Sequence, residues 1–168
     1  YTLMDERVII DPETQERFLI PVSDEPSASA VGLLEPWACV ERAYATEERG
    51  TLKAGGKLLV VADSGHVIEG LSELIATSAP GSITAVVADS SQQAVIEAVG
   101  AAFPDSLDGL EAGSFDDIIS FGADPDRVEA LQPLLTLKGG LDVVLGGEQL
   151  GRPVIVDVGR VHYDLTRW

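Results

Sequence analysis

The sequence predicts an α/β domain in which helices cover both faces of a doubly wound parallel sheet. From about residue 58 onward, short apolar runs alternate with longer segments of helical character, which is typical of right-handed strand–helix–strand units. The runs are apolar at successive positions rather than at every second one, as strands buried on both faces require. Turns containing glycine or proline separate the segments. We therefore expect parallel strands in the order 3-2-1-4-5-6.

Five apolar runs account for the clearest predicted strands. In chain order they are LLVVA (58–62), ITAVVA (83–88), DIISF (117–121), LDVVL (141–145) and PVIVD (153–157).

Three helices are predicted between these strands, over 67–78, 91–103 and 125–137. The second is expected to turn Ala94, Val95, Ala98 and Ala102 toward the core. The third begins with Pro125 and Asp126, which suit a helix start, and the stretch KGG is expected to end it.

A shorter segment precedes the alternating pattern. The runs RVII (7–10) and RFLI (17–20) flank the polar stretch DPETQE, which predicts a hairpin-like pair of strands. A helix is predicted from Ser27 to Glu48, with a kink or restart at Pro36, and glycines in RGTLKAGGK end it. We place the boundary between a leading segment, 1–52, and the α/β domain, 53–168, at these glycines.

Charge and cysteine content exclude several function classes. With 28 Asp and Glu against 11 Lys and Arg, the formal charge is −17, so nucleic acids and anionic membrane surfaces are repelled. The sequence contains neither a run of 18 apolar residues nor a secretory signal pattern. The single cysteine, Cys39, rules out an internal disulfide and, with the missing signal, predicts a cytoplasmic location. Because the sequence opens with Tyr1 rather than Met, we expect a piece of a longer chain.

The stretch KLLVVADSGHVIEG (57–70) contains the turn from the first strand to the first helix. In a dinucleotide-binding Rossmann domain this turn carries G-x-G-x-x-G, whose glycines make the turn, admit the pyrophosphate and let helix and strand pack closely. Here the three glycine positions hold Ala62, Ser64 and Val67, and Gly65 is the glycine that remains in the turn.

Each change in this loop has an expected consequence for a cofactor. Ser64 adds a hydroxymethyl group where the pyrophosphate would approach, and the branched side chain of Val67 is expected to push the helix away from the strand. Asp63 adds repulsion worth up to ~4 kcal/mol at ~4 Å and an effective dielectric of ~20, which His66 offsets in part when protonated. An ordinary turn without a ligand is the alternative. The candidate contacts of this degenerate site are Ala62, Asp63, Ser64, Gly65, His66 and Val67.

Two further strand ends contribute candidate cofactor contacts. Asp89 and Ser90 follow the second predicted strand, where an acid holds the ribose diol of NAD; either residue would equally serve as a helix cap. Gly122 follows the third predicted strand, and its missing side chain leaves room for a bound ring.

Several stretches, taken in order, resemble the zinc-type medium-chain alcohol dehydrogenases, especially the polyol and sorbitol dehydrogenase-like branch. They are LLEPWACVERAY, GTLKAGGKLLVVADSG, FDDIISFGADPDRVEALQPLLTLKGGLDVVLGG and VIVDVGRVHYDLTRW. The resemblance implies that 1–52 is the end of a GroES-like catalytic domain with a linking helix, and that 53–168 is the Rossmann domain. It also implies a small-molecule nucleotide, NAD(P), as ligand.

The same resemblance implies where the metal and the partner subunit belong. Glu35 matches a glutamate that can ligate the catalytic zinc in this branch, but the Cys and Gly-His-Glu metal motifs have no counterpart here. Zinc is therefore expected in the parent protein only, and the chain alone is not expected to transfer hydride. His162 matches a histidine of the closing segment and is assigned no chemistry. A homo-oligomer is expected through the sheet edge at PVIVD.

Two other functions fit parts of the pattern. A methyltransferase dependent on S-adenosylmethionine shares the strand–loop–helix start and the acid at Asp89, but its first loop also requires glycines. A non-catalytic domain for oligomerisation or scaffolding would tolerate the degenerate loop. A P-loop is excluded because GHVIEG lacks the following Lys and Ser or Thr.

Overall fold

The computed structural model describes residues 9–45 and 49–168. The chain divides into two compact units, Tyr1–Glu48 and Arg49–Trp168. No helix in the described ranges is long and apolar enough to cross a bilayer.

The first unit is helical where it is described. Helix α1 spans Pro12–Phe18, α2 spans Ala28–Gly32 and α3 spans Leu34–Ala45. The predicted hairpin is therefore wrong, since its middle and its second run fall in or beside α1; residues 7 and 8 of its first run lie outside the described residues. The reason is local, because the side chain of Asp11 accepts from the backbone N–H of Thr14 at 2.9 Å and Pro12 stands at the first helical position.

The long helix predicted from Ser27 is two helices that meet at Leu33. Pro36 lies in the first turn of α3, where its missing N–H costs no intrahelical bond. Residues 46–48 of the predicted helix lie outside the described residues.

The second unit is built on a parallel sheet of four strands. They are β1 (Lys57–Ala62), β2 (Ser82–Val87), β3 (Phe115–Phe121) and β4 (Leu135–Val144). Their order is β2-β1-β3-β4, and every pairing is parallel. The α/β class with a parallel sheet is thus confirmed, whereas the prediction of six strands ordered 3-2-1-4-5-6 is wrong for the described residues.

The PVIVD segment is not a strand, which corrects the predicted sheet edge. Its backbone is held by a side chain instead: Gln132 Nε2 donates to the carbonyl of Ile155, and Gln132 Oε1 accepts from the N–H of Asp157 at 3.0 Å. These bonds satisfy the groups that a sheet ladder would otherwise pair. The edge of the described sheet on this side is β4.

Three helices of the described chain connect the strands, and a fourth follows β4. They are α4 (Leu71–Ser78), α5 (Ser90–Glu97), α6 (Pro125–Leu131), continued by a 3₁₀ turn at Gln132–Leu134, and α7 (Val158–Tyr163). The helix predicted to 137 ends earlier, and the KGG stretch expected to end it lies inside β4. In α5 the buried residues are Gln92 and Ile96. Of the four residues predicted to face the core, Val95 packs against it, whereas Ala94, Ala98 and Ala102 are exposed.

Apolar clusters cover both faces of the sheet. On one face Leu58 and Val60 of β1 pack in a cluster with Leu71 of α4 and Ile96 of α5. On the other face Leu59 and Val61 belong to a cluster that contains Val128 and Leu131 of α6. Successive residues of β1 thus point to opposite, equally buried faces, which explains its continuous apolar sequence.

Candidate functional site

The candidate site lies at the carboxyl ends of β1 and β3. The chain passes from β1 to β2 on one side and then returns to place β3 on the other side of β1. Loops that leave the two strands therefore diverge, and in open α/β sheets ligands bind in the crevice that this reversal leaves. Asp63 follows β1 and Gly122 follows β3, and these two residues meet in the crevice.

Asp63 is fixed in the crevice by its backbone and by its carboxylate. Its N–H donates to the carbonyl of Phe121 at 2.8 Å, which extends the pairing of β1 with β3 by one bond. The carboxylate Oδ1 lies 2.8 Å from Arg127 Nε, and Oδ2 accepts from the N–H of Asp124 at 3.3 Å. The charge of Asp63, predicted to oppose a phosphate, is thus present in the crevice and paired with Arg127.

Gly122 permits this arrangement. Its φ of +148° lies in a region that side chains rarely adopt, and a Cβ on it would lie 2.0 Å from Asp63 Oδ2. The space beside Gly122, predicted to admit a bound ring, is therefore filled by the Asp63 carboxylate.

Asp89 lies between β2 and α5 and faces the loop that follows β1, which we call the first loop. Its Oδ1 accepts from the hydroxyl of Ser64 at 2.9 Å, and its Oδ2 accepts from the N–H of Gly65 at 2.6 Å. The hydrogen bond from the Gly65 N–H is the main cause that lowers the pKa of Asp89 below its ordinary value, and the bond from the Ser64 hydroxyl lowers it further. A carboxylate has about four lone-pair sites, and the capping box also directs the N–H of Gln92 to Asp89, so at least one site remains for another donor. The structure thus brings Asp89 together with the loop residues, while Ser90 is the exposed first residue of α5.

Gln92 is a residue of the site that the sequence analysis missed. It is buried, and its Nε2 donates to the carbonyls of Asp63 at 2.7 Å and His66 at 2.8 Å. Its Oε1 accepts from the N–H of Asp89 at 3.1 Å. The side chain therefore ties the first loop to the start of α5. The spacing Asp89-x-x-Gln92 is the capping-box pattern, which would have predicted part of this role.

His66 contributes a largely buried imidazole. Neither ring nitrogen has a hydrogen-bond partner, and Nε2 lies 3.7 Å from Glu148 Oε2. Together with Glu69, Phe121 and other residues, His66 and Glu148 line a cavity of about 520 Å³ beside the crevice. This volume is in the range of small-molecule sites.

Two predicted loop residues take other positions than expected. Ala62 is buried at the end of β1 and belongs to the core. Val67 is 71% exposed and does not separate helix from strand, which corrects the expectation from the glycine pattern. The reason is that α4 begins only at Leu71, after Gly70 with φ +73°, so Leu71 makes the helix–sheet contact.

Glu35, the predicted metal ligand, belongs to the first unit. The thiol of Cys39, four residues along α3, donates to Glu35 Oε1 at 3.1 Å, and this bond raises the pKa of the thiol. A zinc site needs three or four protein ligands. Within 9–45 and 49–168, no group of three or more His, Cys, Asp or Glu side chains is arranged to hold a metal. The described residues therefore do not fit a zinc ion.

Comparison with known structures gives the fold a context. The chain is similar to a zinc-binding dehydrogenase of Sinorhizobium meliloti 1021 bound to NADP, at 21% identity over 69% of this chain and 37% of that one, with a TM-score of 0.53. The chain shares its fold with the matched part of that structure. It is also similar to benzyl alcohol dehydrogenase of Acinetobacter calcoaceticus, at 17% identity over 88% and 42% of the chains and a TM-score of 0.53.

A third similar structure is 2R,3R-butanediol dehydrogenase of Bacillus subtilis, at 21% identity, 87% and 43% coverage and a TM-score of 0.53. The predicted resemblance to zinc-type alcohol dehydrogenases is confirmed at the level of the fold. The chain spans less than half the length of each of these structures. No protein-family model matches it, and no curated protein matches it in sequence.

Proposed function

We propose that this chain carries the nucleotide-binding domain of a zinc-type alcohol or polyol dehydrogenase-like protein and has no complete catalytic site of its own. The observation that carries the proposal is the reversal of strand order between β1 and β3, with Asp89 held against the first loop at the carboxyl edge. Ligands of open α/β sheets bind at such a reversal. The likeness to an NADP-bound dehydrogenase supports the choice of ligand class.

The residues of the crevice assign different parts to a dinucleotide. Asp89 fits a ribose diol, because it is ionised and retains at least one acceptor site beside Ser64. Asp63 does not fit a pyrophosphate, because its carboxylate repels one. We therefore propose weak binding of NAD(P), with nucleotide as the small-molecule partner and zinc confined to the parent protein.

A ligand panel tests this proposal. We expect NAD⁺ and NADP⁺ to raise the thermal midpoint of the full chain at millimolar concentration, because binding to the folded state alone stabilises it by RT ln(1 + [L]/Kd). S-adenosylmethionine is the comparison ligand and should give no shift. A shift with S-adenosylmethionine alone would favour the methyltransferase, although every strand pairing in the described sheet is parallel and that fold ends in an antiparallel strand.

A non-catalytic oligomerisation domain is the second candidate, and two exposed apolar side chains of β4 favour it. The chain itself covers the middle of this edge, because the N–H of Lys138 donates to the carbonyl of Asp164 at 2.7 Å and that of Leu141 to the carbonyl of Arg167 at 2.9 Å. Leu137 and Val144 are exposed apolar residues of this strand. Because PVIVD is not a strand, we place the proposed homo-oligomer contact on β4 instead. Sedimentation of the chain and of Leu137→Lys tests it: a dimer that the substitution weakens supports this candidate, and a monomer rejects it.

A further inference from the structure

The crevice between β1 and β3 already contains an anion, the carboxylate of Asp63. Its two oxygens face Arg127 Nε at 2.8 Å and the N–H of Asp124 at 3.3 Å. Gly122 makes room for it, since a Cβ there would lie 2.0 Å from Oδ2. An arginine, a backbone donor and a missing Cβ are also the means by which proteins hold a phosphate group. The surroundings of Asp63 are therefore those of an anion site.

The neighbouring cavity offers no substitute for this cation. Its lining contains Glu69 and Glu148 and, in the part of the chain that the structure describes, neither a lysine nor an arginine. His66 is its one basic side chain, and Glu148 already lies 3.7 Å from it. A ligand phosphate in this cavity would thus meet no lysine or arginine among the described lining residues, whereas Arg127 lies in the crevice and is paired there with Asp63.

We infer that Asp63 is an internal substitute for a ligand phosphate, and that the Arg127–Gly122 crevice is a phosphate-binding site occupied by the chain's own carboxylate. The inference rests on the proposed function, in that the phosphate belongs to a nucleotide. The side chain of Asp63 is 19% exposed and that of Arg127 is 29% exposed, so both are partly accessible to solvent. A phosphorylated ligand binds here by displacing Asp63 from Arg127, and Asp63 determines how weakly it binds.

Neutralising Asp63 tests the inference directly. Asp63→Asn keeps the shape of the side chain and an oxygen for the Asp124 N–H, but removes the competing charge. In calorimetric titrations of the full chain with inorganic pyrophosphate and with NADP⁺, we expect at least fivefold tighter binding than by the unchanged chain. The double variant Asp63→Asn/Arg127→Gln should lose this gain, because it removes the cation. The control Asp108→Asn changes the net charge equally at an exposed position and should leave both affinities unaltered.

An NMR measurement tests whether pyrophosphate binds in the crevice. The Arg127 Nε–H resonance of Asp63→Asn should shift as pyrophosphate is added, and that of the unchanged chain should shift only at higher concentration. Should Asp63→Asn fail to fold by circular dichroism, Asp63→Ser is tested in the same way. A gain below fivefold, or a gain that persists without Arg127, overturns the inference.

The same titrations separate this inference from the proposed function. If the unchanged chain binds NADP⁺ and Asp63→Asn binds it no more than fivefold tighter, the inference fails and the proposed function stands. If pyrophosphate binds Asp63→Asn through Arg127 but no dinucleotide binds either chain, the phosphate site stands and the proposed function fails.

Discussion

Asp89 illustrates how one side chain couples the fold to pH. Its pKa is lowered first by the Gly65 N–H and then by the Ser64 hydroxyl, both of which favour the ionised form. Because the folded pKa lies below the unfolded value of about 3.9, these bonds stabilise the fold above about pH 4. Their contribution is lost as the pH falls through the folded pKa.

We expect Asp89→Asn to reduce the free energy of unfolding more at pH 7 than at pH 3. At the lower pH the carboxyl of the unchanged chain is increasingly protonated, so both chains lack the ionic acceptor. Urea denaturation at the two pH values measures the difference. Asp108→Asn, at an exposed position, should show a similar effect at both; a pH-independent effect of Asp89→Asn would contradict the prediction.

Asp117 is the acid whose removal should matter most for stability. Asp117 lies in β3 and is 5% exposed. Its carboxylate accepts a hydrogen bond from the N–H of Lys53 at 2.7 Å and forms an ion pair with Arg49 at 2.8 Å. Arg49 is 29% exposed, so water screens its loss of a partner in part, but the N–H of Lys53 is left without its acceptor. We expect Asp117→Ala to lower the free energy of unfolding by about 2 kcal/mol, measured by urea denaturation.

The surface pair of Glu13 and Arg17 provides the matched comparison. Its side chains are 74% and 67% exposed, so water screens their attraction. Glu13→Ala should therefore cost less than about 0.5 kcal/mol. Equal losses in the free energy of unfolding for Asp117→Ala and Glu13→Ala would show that burial does not determine how much these ion pairs stabilise the fold.

At the scale of elements, the junction of β1 with β3 depends on a glycine. We expect Gly122→Ala to lower the free energy of unfolding by about 1–3 kcal/mol, because the new Cβ meets the Asp63 carboxylate and the positive φ disfavours alanine. Combining it with Asp63→Gly should recover part of the loss, since the two residues are in contact. Strictly additive losses in urea denaturation would place the strain elsewhere.

Element boundaries followed local chemistry more closely than apolar pattern. Asp11 and Pro12 started a helix where two apolar runs predicted a hairpin. Because Gly70 has a positive φ, α4 begins only at Leu71. Val67 therefore lies before the helix and is exposed on the surface instead of packing between helix and sheet. In each case a cap or a positive φ determined where the helix begins, and these signals are short enough to be outweighed in a pattern-based prediction.

At the scale of the whole molecule, the described buried core belongs to the second unit. The apolar clusters run from Leu52 to Leu141, and α1 and α2 contain no buried residue. We expect a chain of residues 49–168 alone to unfold cooperatively with a thermal midpoint within about 4 °C of the full chain, equivalent to less than about 1 kcal/mol. Calorimetry of both chains measures this. A midpoint lower by 10 °C or more would show that the first unit stabilises the second.

The sequence by itself determined the α/β class, the parallel pairing of the strands and the resemblance to dehydrogenases. Those features are encoded in runs such as LLVVA, whose continuous apolar character leaves no face for water. It also identified Asp89 and the loop from Ala62 to Val67 as candidate contacts of a cofactor.

Only the tertiary structure decided what those residues contact. Asp89 bonds to Ser64 and Gly65, Asp63 crosses to Arg127 over Gly122, and Gln132 takes up the backbone of the segment predicted as a strand. Each of these contacts joins residues more than 20 positions apart, so no local pattern specifies it. The contacts of Asp89 and Asp63 arise because the sheet order brings the carboxyl ends of β1, β2 and β3 together. The contact of Gln132 lies at the amino end of β4, which the 3₁₀ turn Gln132–Leu134 directly precedes.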